Sequence, residues 1–252
     1  MSKQNKLIMN TLTKITLFIT LIILTLLSTT SCIVEGITGV KGNRNVISED
    51  RNISSDFDKI KVQQGISLYL TQGNTTEINV EADENIIDLL ITEVKNNQLK
   101  IYFDKNVYKA KARKVYLTTK NISEISTSSG ASVKTENTIQ SETLILDSSS
   151  GSSIKATVET IEIESSTSSG ADIDIYGETD KLTAKASSGS SIDADELTAM
   201  DVSAKVSSGA NIDVNVKENL TAKASSGGDI DYKGSPKNID KNTSSGGSVS
   251  GS

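Results

Sequence analysis

The chain of 252 residues contains no His and no Trp, one Cys, one Pro and only three Phe. Without His it lacks the commonest general base and the commonest transition-metal ligand. A lone Cys, Cys32, excludes an internal disulfide framework. So few large aromatics leave no ordinary globular core, and apolar surface has to be buried another way. Arginine occurs only at Arg44, Arg51 and Arg113, and the net charge is -6 with neither sign in long blocks. No basic patch with interleaved aromatics exists, so nucleic acid is excluded as a partner. What is plentiful is Ser, Thr, Gly, Asn and Asp, a composition shared with disordered chains. Periodicity has to decide between disorder and a fold.

Residues 1–31 read as an export signal. Lys3, Lys6 and Lys14 precede an apolar run over residues 15–27, followed by Ser28-Thr29-Thr30-Ser31-Cys32. A basic start, a short apolar stretch and small residues describe a secretory signal. The run falls short of the roughly 20 residues a permanent span needs. Cys32 directly after Ser31 resembles the lipobox of bacterial lipoproteins, with Thr29 where Leu is usual. Acylation there makes Cys32 the mature N-terminus and a stable membrane anchor. Residues 32–53 then read as a Gly/Asn-rich tether.

Ser-Ser-Gly recurs with its glycine at Gly130, Gly151, Gly170, Gly189, Gly209, Gly227 and Gly246, in steps of 18 to 21 residues. Repetition at this period marks a stacked architecture. Three places after each glycine stand Val133, Ile154, Ile173, Ile192, Ile212, Ile230 and Val249, all β-branched and apolar. Seven places before it stand Leu144, Ile163, Leu182, Val202, Leu220 and Ile239, with Ser123 of the first repeat out of register. Four places before it every residue is polar, and three places before it every residue is Thr, Ser, Ala or Val. Alternation with period two means strands. A strand, a Gly turn and a second strand within about nineteen residues fit one coil of an all-β solenoid, too short for a helical repeat. Stacked coils pair every strand with its equivalents above and below. The narrow interior suits Ile, Val and Ala, which explains the missing aromatics. The glycines supply positive φ or close approach, and the serines bond along the stack or to the turn.

Residues 54–120 are strand-rich but irregular. Ile60, Val62, Leu68 and Leu70 bracket Gly65 in the same register, predicting an earlier coil there. Residues 84–94 read as a short amphipathic helix. The whole section serves as an N-terminal cap for the seven coils of residues 121–252. The chain closes directly after the seventh coil, so its C-terminal cap is expected to be minimal.

The run Phe57-Asp58-Lys59-Ile60-Lys61-Val62-Gln63-Gln64-Gly65-Ile66-Ser67-Leu68-Tyr69-Leu70-Thr71-Gln72-Gly73 resembles the opening of the family called putative auto-transporter adhesin, head GIN domain. Val80-Glu81-Ala82-Asp83-Glu84-Asn85 and Tyr232-Lys233-Gly234-Ser235-Pro236 are similar to it as well. The resemblance spans about residues 54–250. It implies a right-handed parallel β-helix, secreted or in the envelope of Gram-negative bacteria, with many members lipoproteins. It implies no established activity.

Four places after the glycines stand Lys134, Lys155, Asp174, Asp193, Asp213, Asp231 and Ser250. Asp174, Asp193, Asp213 and Asp231 would form a ladder of like charge, for which a divalent cation such as calcium is one candidate ligand. The spacing differs from the calcium nonapeptide of other β-rolls. The plainer interpretation is a solvated acidic stripe partly neutralised by Lys185, Lys205 and Lys223. No base accompanies the Ser-Ser-Gly row, so it reads as turn chemistry and not as a nucleophile array. The expectation is an envelope lipoprotein of the outer membrane, facing either the periplasm or the surface. It binds a glycan or envelope protein without catalysis and requires no cofactor. The competing expectation is a polysaccharide-acting enzyme, which would need a perturbed lysine in a polar pocket.

Overall fold

The computed structural model describes residues 39–53 and 56–251. Cys32 and the export segment lie outside them. The described chain forms two units. A small one pairs Val40–Lys41 with Val107–Tyr108 in parallel. The other, residues 42–104 and 110–252, holds a 17-stranded sheet system.

That larger unit is a parallel β-solenoid. The apolar residues three places after the glycines stack in one file upon Val115, from Leu68 through Val133, Ile154, Ile173, Ile192, Ile212 and Ile230 to Val249. Ile154, Ile173, Ile192, Ile212 and Ile230 are 0–1% exposed, as a shared interior demands. Strands before the turn pair with one another, as Leu182 with Val202 and Val202 with Leu220. Strands after the turn do the same, so each coil contributes to two parallel sheets. Their inward side chains meet in a thin aliphatic core of Leu, Ile, Val and Ala.

The turn has a fixed geometry that sequence alone showed only in part. The glycines sit at φ +66 to +78, and the serine before each one is also left-handed, from Ser129 at φ +55 to Ser245 at φ +49. Two successive positive φ values define a type I′ turn, in which glycine is favoured at the second place. A Cβ on Gly130, Gly151 or Gly189 would meet nothing within 4 Å, so backbone conformation and not crowding selects glycine. Each turn is bonded to the next: Gly130 N–H donates to the Ser150 carbonyl at 3.2 Å, Gly151 to Ser169 at 3.1 Å and Gly189 to Ser208 at 3.1 Å. The backbone ladder therefore continues through the corner, leaving few donors orphaned. Gln64 at φ +60 and Gly65 at φ +67 make the equivalent earlier turn, with Gly65 N–H bonded to the Ser129 carbonyl at 3.0 Å.

Differences in repeat length are taken up at the opposite corner. The register shifts between Asp174 and Gly177, and again between Ala194 and Thr198. Gly177 sits there at φ +111, where an added Cβ would fall 2.0 Å from the Val158 carbonyl oxygen.

The first coils stack out of chain order. Lys59–Val62 lies between Gln98–Phe103 and Glu124–Thr127. Ser67–Gln72 lies between Arg113–Thr119 and Ser132–Thr135. The strands Gln98–Phe103 and Arg113–Thr119 thus lie beneath Lys59–Val62 and Ser67–Gln72, although they follow them in sequence. Antiparallel strands close this end: Leu90–Lys95 on Gln98–Phe103, Glu77–Asp83 on Arg113–Thr119, and Val46–Arg51 on Glu77–Asp83. Antiparallel cover of the last parallel strands is a common protection for a sheet edge.

Two expectations are corrected. Residues 84–94 are not a helix but a 3-10 turn, Ile87–Leu89, followed by the strand Leu90–Lys95. Asn96 and Asn97, at φ +53 and +62, form a two-residue hairpin to Gln98–Phe103, and the β-branched Thr92 and Val94 suit a strand. Residues 46–51, assigned to the tether, form a capping strand. Arg51 fixes it by donating to the Ile87 carbonyl at 2.7 Å, to the Leu90 carbonyl and to Glu49. The buried Asp83 carboxylate accepts from the N–H groups of Arg44, Lys111 and Ala112 at 2.8, 2.9 and 3.0 Å.

Candidate functional site

The outward column four places after the turn glycines forms one continuous ladder. It runs from Asn79 and Tyr116 through Tyr69, Lys134, Lys155, Asp174, Asp193, Asp213 and Asp231 to Ser250. The structure therefore brings the four aspartates into adjacent register. Burial pushes the Asp174 carboxyl up, with Lys155 opposing and Asp193 and Asp172 adding to the rise. Burial also pushes Asp213 up, and Asp193, Asp231 and Asp195 reinforce it. A ladder keeps these groups side by side instead of converging them on one point. Among the described residues no three His, Cys, Asp or Glu side chains come together in a way that would hold a metal ion.

Lys185, Lys205 and Lys223 also form a ladder, but in the strands before the turn. They belong to the other sheet and make no ion pair with the aspartates. The ion pairs of the described residues join other groups, such as Lys233–Asp195 at 2.9 Å and Lys181–Glu162 at 2.5 Å. The expected neutralisation of the acidic stripe by these lysines is absent because the core separates the two rows.

At the capped end, the ladder borders a cleft of about 430 Å³. The Tyr69 and Tyr116 rings lie in it with centroids 5.1 Å apart and planes at 14°. Their strands pair directly, so consecutive coils place one ring over the other. Asp50, Glu77, Asn79 and Glu136 are further lining groups. Asn79 donates to Asp50 at 2.7 Å, and Lys134 pairs with Glu136 at 2.9 Å, so two of the three carboxylates are already engaged. Burial and the Glu81 carboxylate raise the Tyr116 phenol, which therefore stays protonated. The result is an aromatic platform ringed by hydrogen-bonding groups. The sequence contained one signal for it: Tyr69 stands four places after Gly65, in the same column as the lysines and aspartates. Tyr116, with no Ser-Ser-Gly beside it, gave none.

Among the described residues, the lysines whose titration is displaced are all held more firmly protonated. Lys114 is raised by its hydrogen bond to Glu81, Lys155 by its contact with Tyr176 and Lys181 by Glu162. The Lys155 ammonium stands 4.8 Å from the Tyr176 ring centre. A base of the lyase type needs the opposite shift.

Solved structures share this architecture. A putative adhesin of Bacteroides fragilis is 23% identical with a TM-score of 0.79, over 85% of this chain and 100% of that one. One from Parabacteroides distasonis is 21% identical at 0.73, over 84% and 99%. A putative lipid binding protein of the same organism is 21% identical at 0.69, over 84% and 99%. At these identities the likeness concerns the fold. No curated protein matches the chain. The family described as putative auto-transporter adhesin, head GIN domain, matches residues 56–236, and with most of its solenoid and cap inside that match the chain belongs to this family.

Proposed function

We propose that the protein is an exported envelope module, anchored through acylated Cys32, that holds a glycan on its lateral surface without chemically altering it. The Tyr69–Tyr116 cleft carries this reading. Flat sugar faces stack on aromatic rings, and sugar hydroxyls need many short-range donors and acceptors. The cleft supplies both, from the rings and from Glu77, Asn79 and the threonines Thr71, Thr76 and Thr118. Its acidic lining favours a neutral saccharide over an anionic one. The ladder that leaves the cleft repeats at one strand spacing, which suits an extended polymer. The family's adhesin description supports an envelope setting. The protonated lysines support a non-catalytic role.

The chain has no Trp and six Tyr, of which Tyr69 and Tyr116 line the cleft, so the part of the tyrosine emission lost in Tyr116→Ala reports on it. Full-length protein in detergent is titrated with neutral chito- and cello-oligosaccharides. Saturable quenching that Tyr116→Ala weakens about tenfold, with oligosaccharide length unchanged afterwards, supports the reading. Absence of binding to every oligosaccharide, or shortening of the chains, overturns it. Loss of lipid labelling in Cys32→Ser tests the anchor separately.

A further inference from the structure

Three consecutive coils carry the same pair of charges about their turns. Lys185 and Asp193 flank Gly189, Lys205 and Asp213 flank Gly209, and Lys223 and Asp231 flank Gly227, each four residues from the glycine. The lysines are in register within one sheet and the aspartates within the other. Between the two sheets lie Leu182, Ala184, Ile192, Ala204, Ile212 and Ala222, all buried. Outward groups on the two sheets therefore point away from a common core. One side shows three lysines and the other shows three aspartates, on the same three levels.

Among the described residues neither row meets an opposite charge, and Asp193 accepts only the Asp195 backbone N–H, at 3.2 Å. None of the six groups takes part in an ion pair among the described residues. All three lysines, Asp193 and Asp231 are exposed. Beside the lysines stand the short Thr183, Ser203 and Thr221; beside the aspartates stand Ser191, Asn211 and Asp229, while Asp195 is taken up by Lys233 at 2.9 Å. Successive levels lie one strand spacing apart, about 4.8 Å, so each row repels itself. A partner that relieves all three charges of a row must carry the opposite sign at that same repeat.

A second copy of this chain carries it. We infer that copies associate side by side and parallel, with the lysine row of one against the aspartate row of the next. Lys185 then faces Asp193, Lys205 faces Asp213 and Lys223 faces Asp231 of the neighbour. The contact joins two different surfaces, so each copy keeps one free row of each sign and the arrangement extends into files. Exposed ion pairs are individually weak and sensitive to salt. The association is therefore one of crowded copies, as on a membrane surface. It stands independently of the glycan reading.

The test uses full-length protein in detergent micelles at low ionic strength. A carbodiimide, which joins only amines and carboxylates already in contact, is applied to a mixture of light and nitrogen-15-labelled chains. The expected product is a ladder of oligomers with light-to-heavy amide links such as Lys205 to Asp213, lost at about 0.5 M salt. The variant K185E/K205E/K223E and the variant D193K/D213K/D231K should each lose about nine-tenths of that ladder. Mixing the two variants should restore it, between unlike chains only, which also shows that both are folded. Oligomers that ignore either variant, links at unrelated residues, or failure of the mixture to restore coupling would each overturn the inference.

Discussion

Replacing Ser165 with alanine should stabilise the protein. Ser165 points into the solenoid, is 2% exposed, and its hydroxyl has no hydrogen-bond partner. Its stacked neighbours are Leu146 and Ala184, neither of which offers a side-chain polar group. Burying a hydroxyl without a partner costs roughly 1–3 kcal/mol. Truncation to alanine forfeits only the dispersion contacts of one atom, at about 0.1–0.2 kcal/mol each. The next coil already carries alanine at this position, so the site accepts a methyl without rearrangement. The net gain is about 1 kcal/mol, a rise of roughly 2–4 °C in Tm for a protein of this size. The neighbouring hydroxyl of Ser148 provides the contrast, because it meets Thr127 and Ser152 at 2.9 Å each. Ser148→Ala strips a partner from both and should lose about 1–2 kcal/mol. Urea denaturation followed by circular dichroism, with unchanged slope, reads both. A Ser165→Ala variant with a lower midpoint, or a Ser148→Ala variant with a higher one, refutes the reasoning.

Four further outcomes follow from particular contacts. Ile192→Ala should cost about 3–4 kcal/mol, since Ile173 and Ile212 above and below are held by the backbone ladder and cannot close the cavity, whereas outward-facing Ile145→Ala should cost under about 1 kcal/mol by the same denaturation. Burial alone would raise Asp83, but the N–H groups of Ala112, Arg44 and Lys111 outweigh it and its carboxyl is lowered; its contribution is present above pH 3.8 and lost as pH falls through the folded value. Asp83→Asn should therefore cost about 2–4 kcal/mol near neutrality and less in acid, measured as midpoint against pH. Asp213 has the opposite sign: its raised carboxyl contributes stability below pH 3.8 that disappears as pH rises through the folded value, so Asp213→Asn should raise the midpoint at neutral pH and leave it unchanged in acid. Gly177→Ala places a methyl 2.0 Å from a carbonyl oxygen and should cost more than about 3 kcal/mol, while Gly189→Ala, with open space at φ +68, should cost about 1–2 kcal/mol on the same assay.

The solenoid was legible because its periodicity is enforced by burial. A one-residue slip would expose the whole isoleucine file, so the glycine-aligned columns could be read straight from the sequence. The left-handed serine before each glycine was not legible, because serine carries no strong preference for positive φ. The order of the first coils was equally hidden. Gly65 announces its own coil, but nothing local says that residues 98–119 pass beneath it, since pairing partners far apart in sequence leave no mark on either strand. The strand at 90–95 was misread because its apolar spacing also fits a helix, and the Asn96-Asn97 hairpin decides the matter. The acidic and basic rows were visible as columns, yet their separation by the core depends on the fold of the turn. The tyrosine cleft needed the antiparallel cap to exist at all.

The inverted order of the first two coils dictates how the molecule can be assembled. Strand 59–72 has no floor until residues 98–119 have been synthesised and tucked under it, so the earliest part of the body waits for a later part before it can settle. Once that base is closed by its antiparallel cover, only one growing end remains. Each later coil can then be laid on a finished template as it is synthesised. Deletions from the far end should shorten the stack, whereas damage to the base should deny every later coil its starting surface.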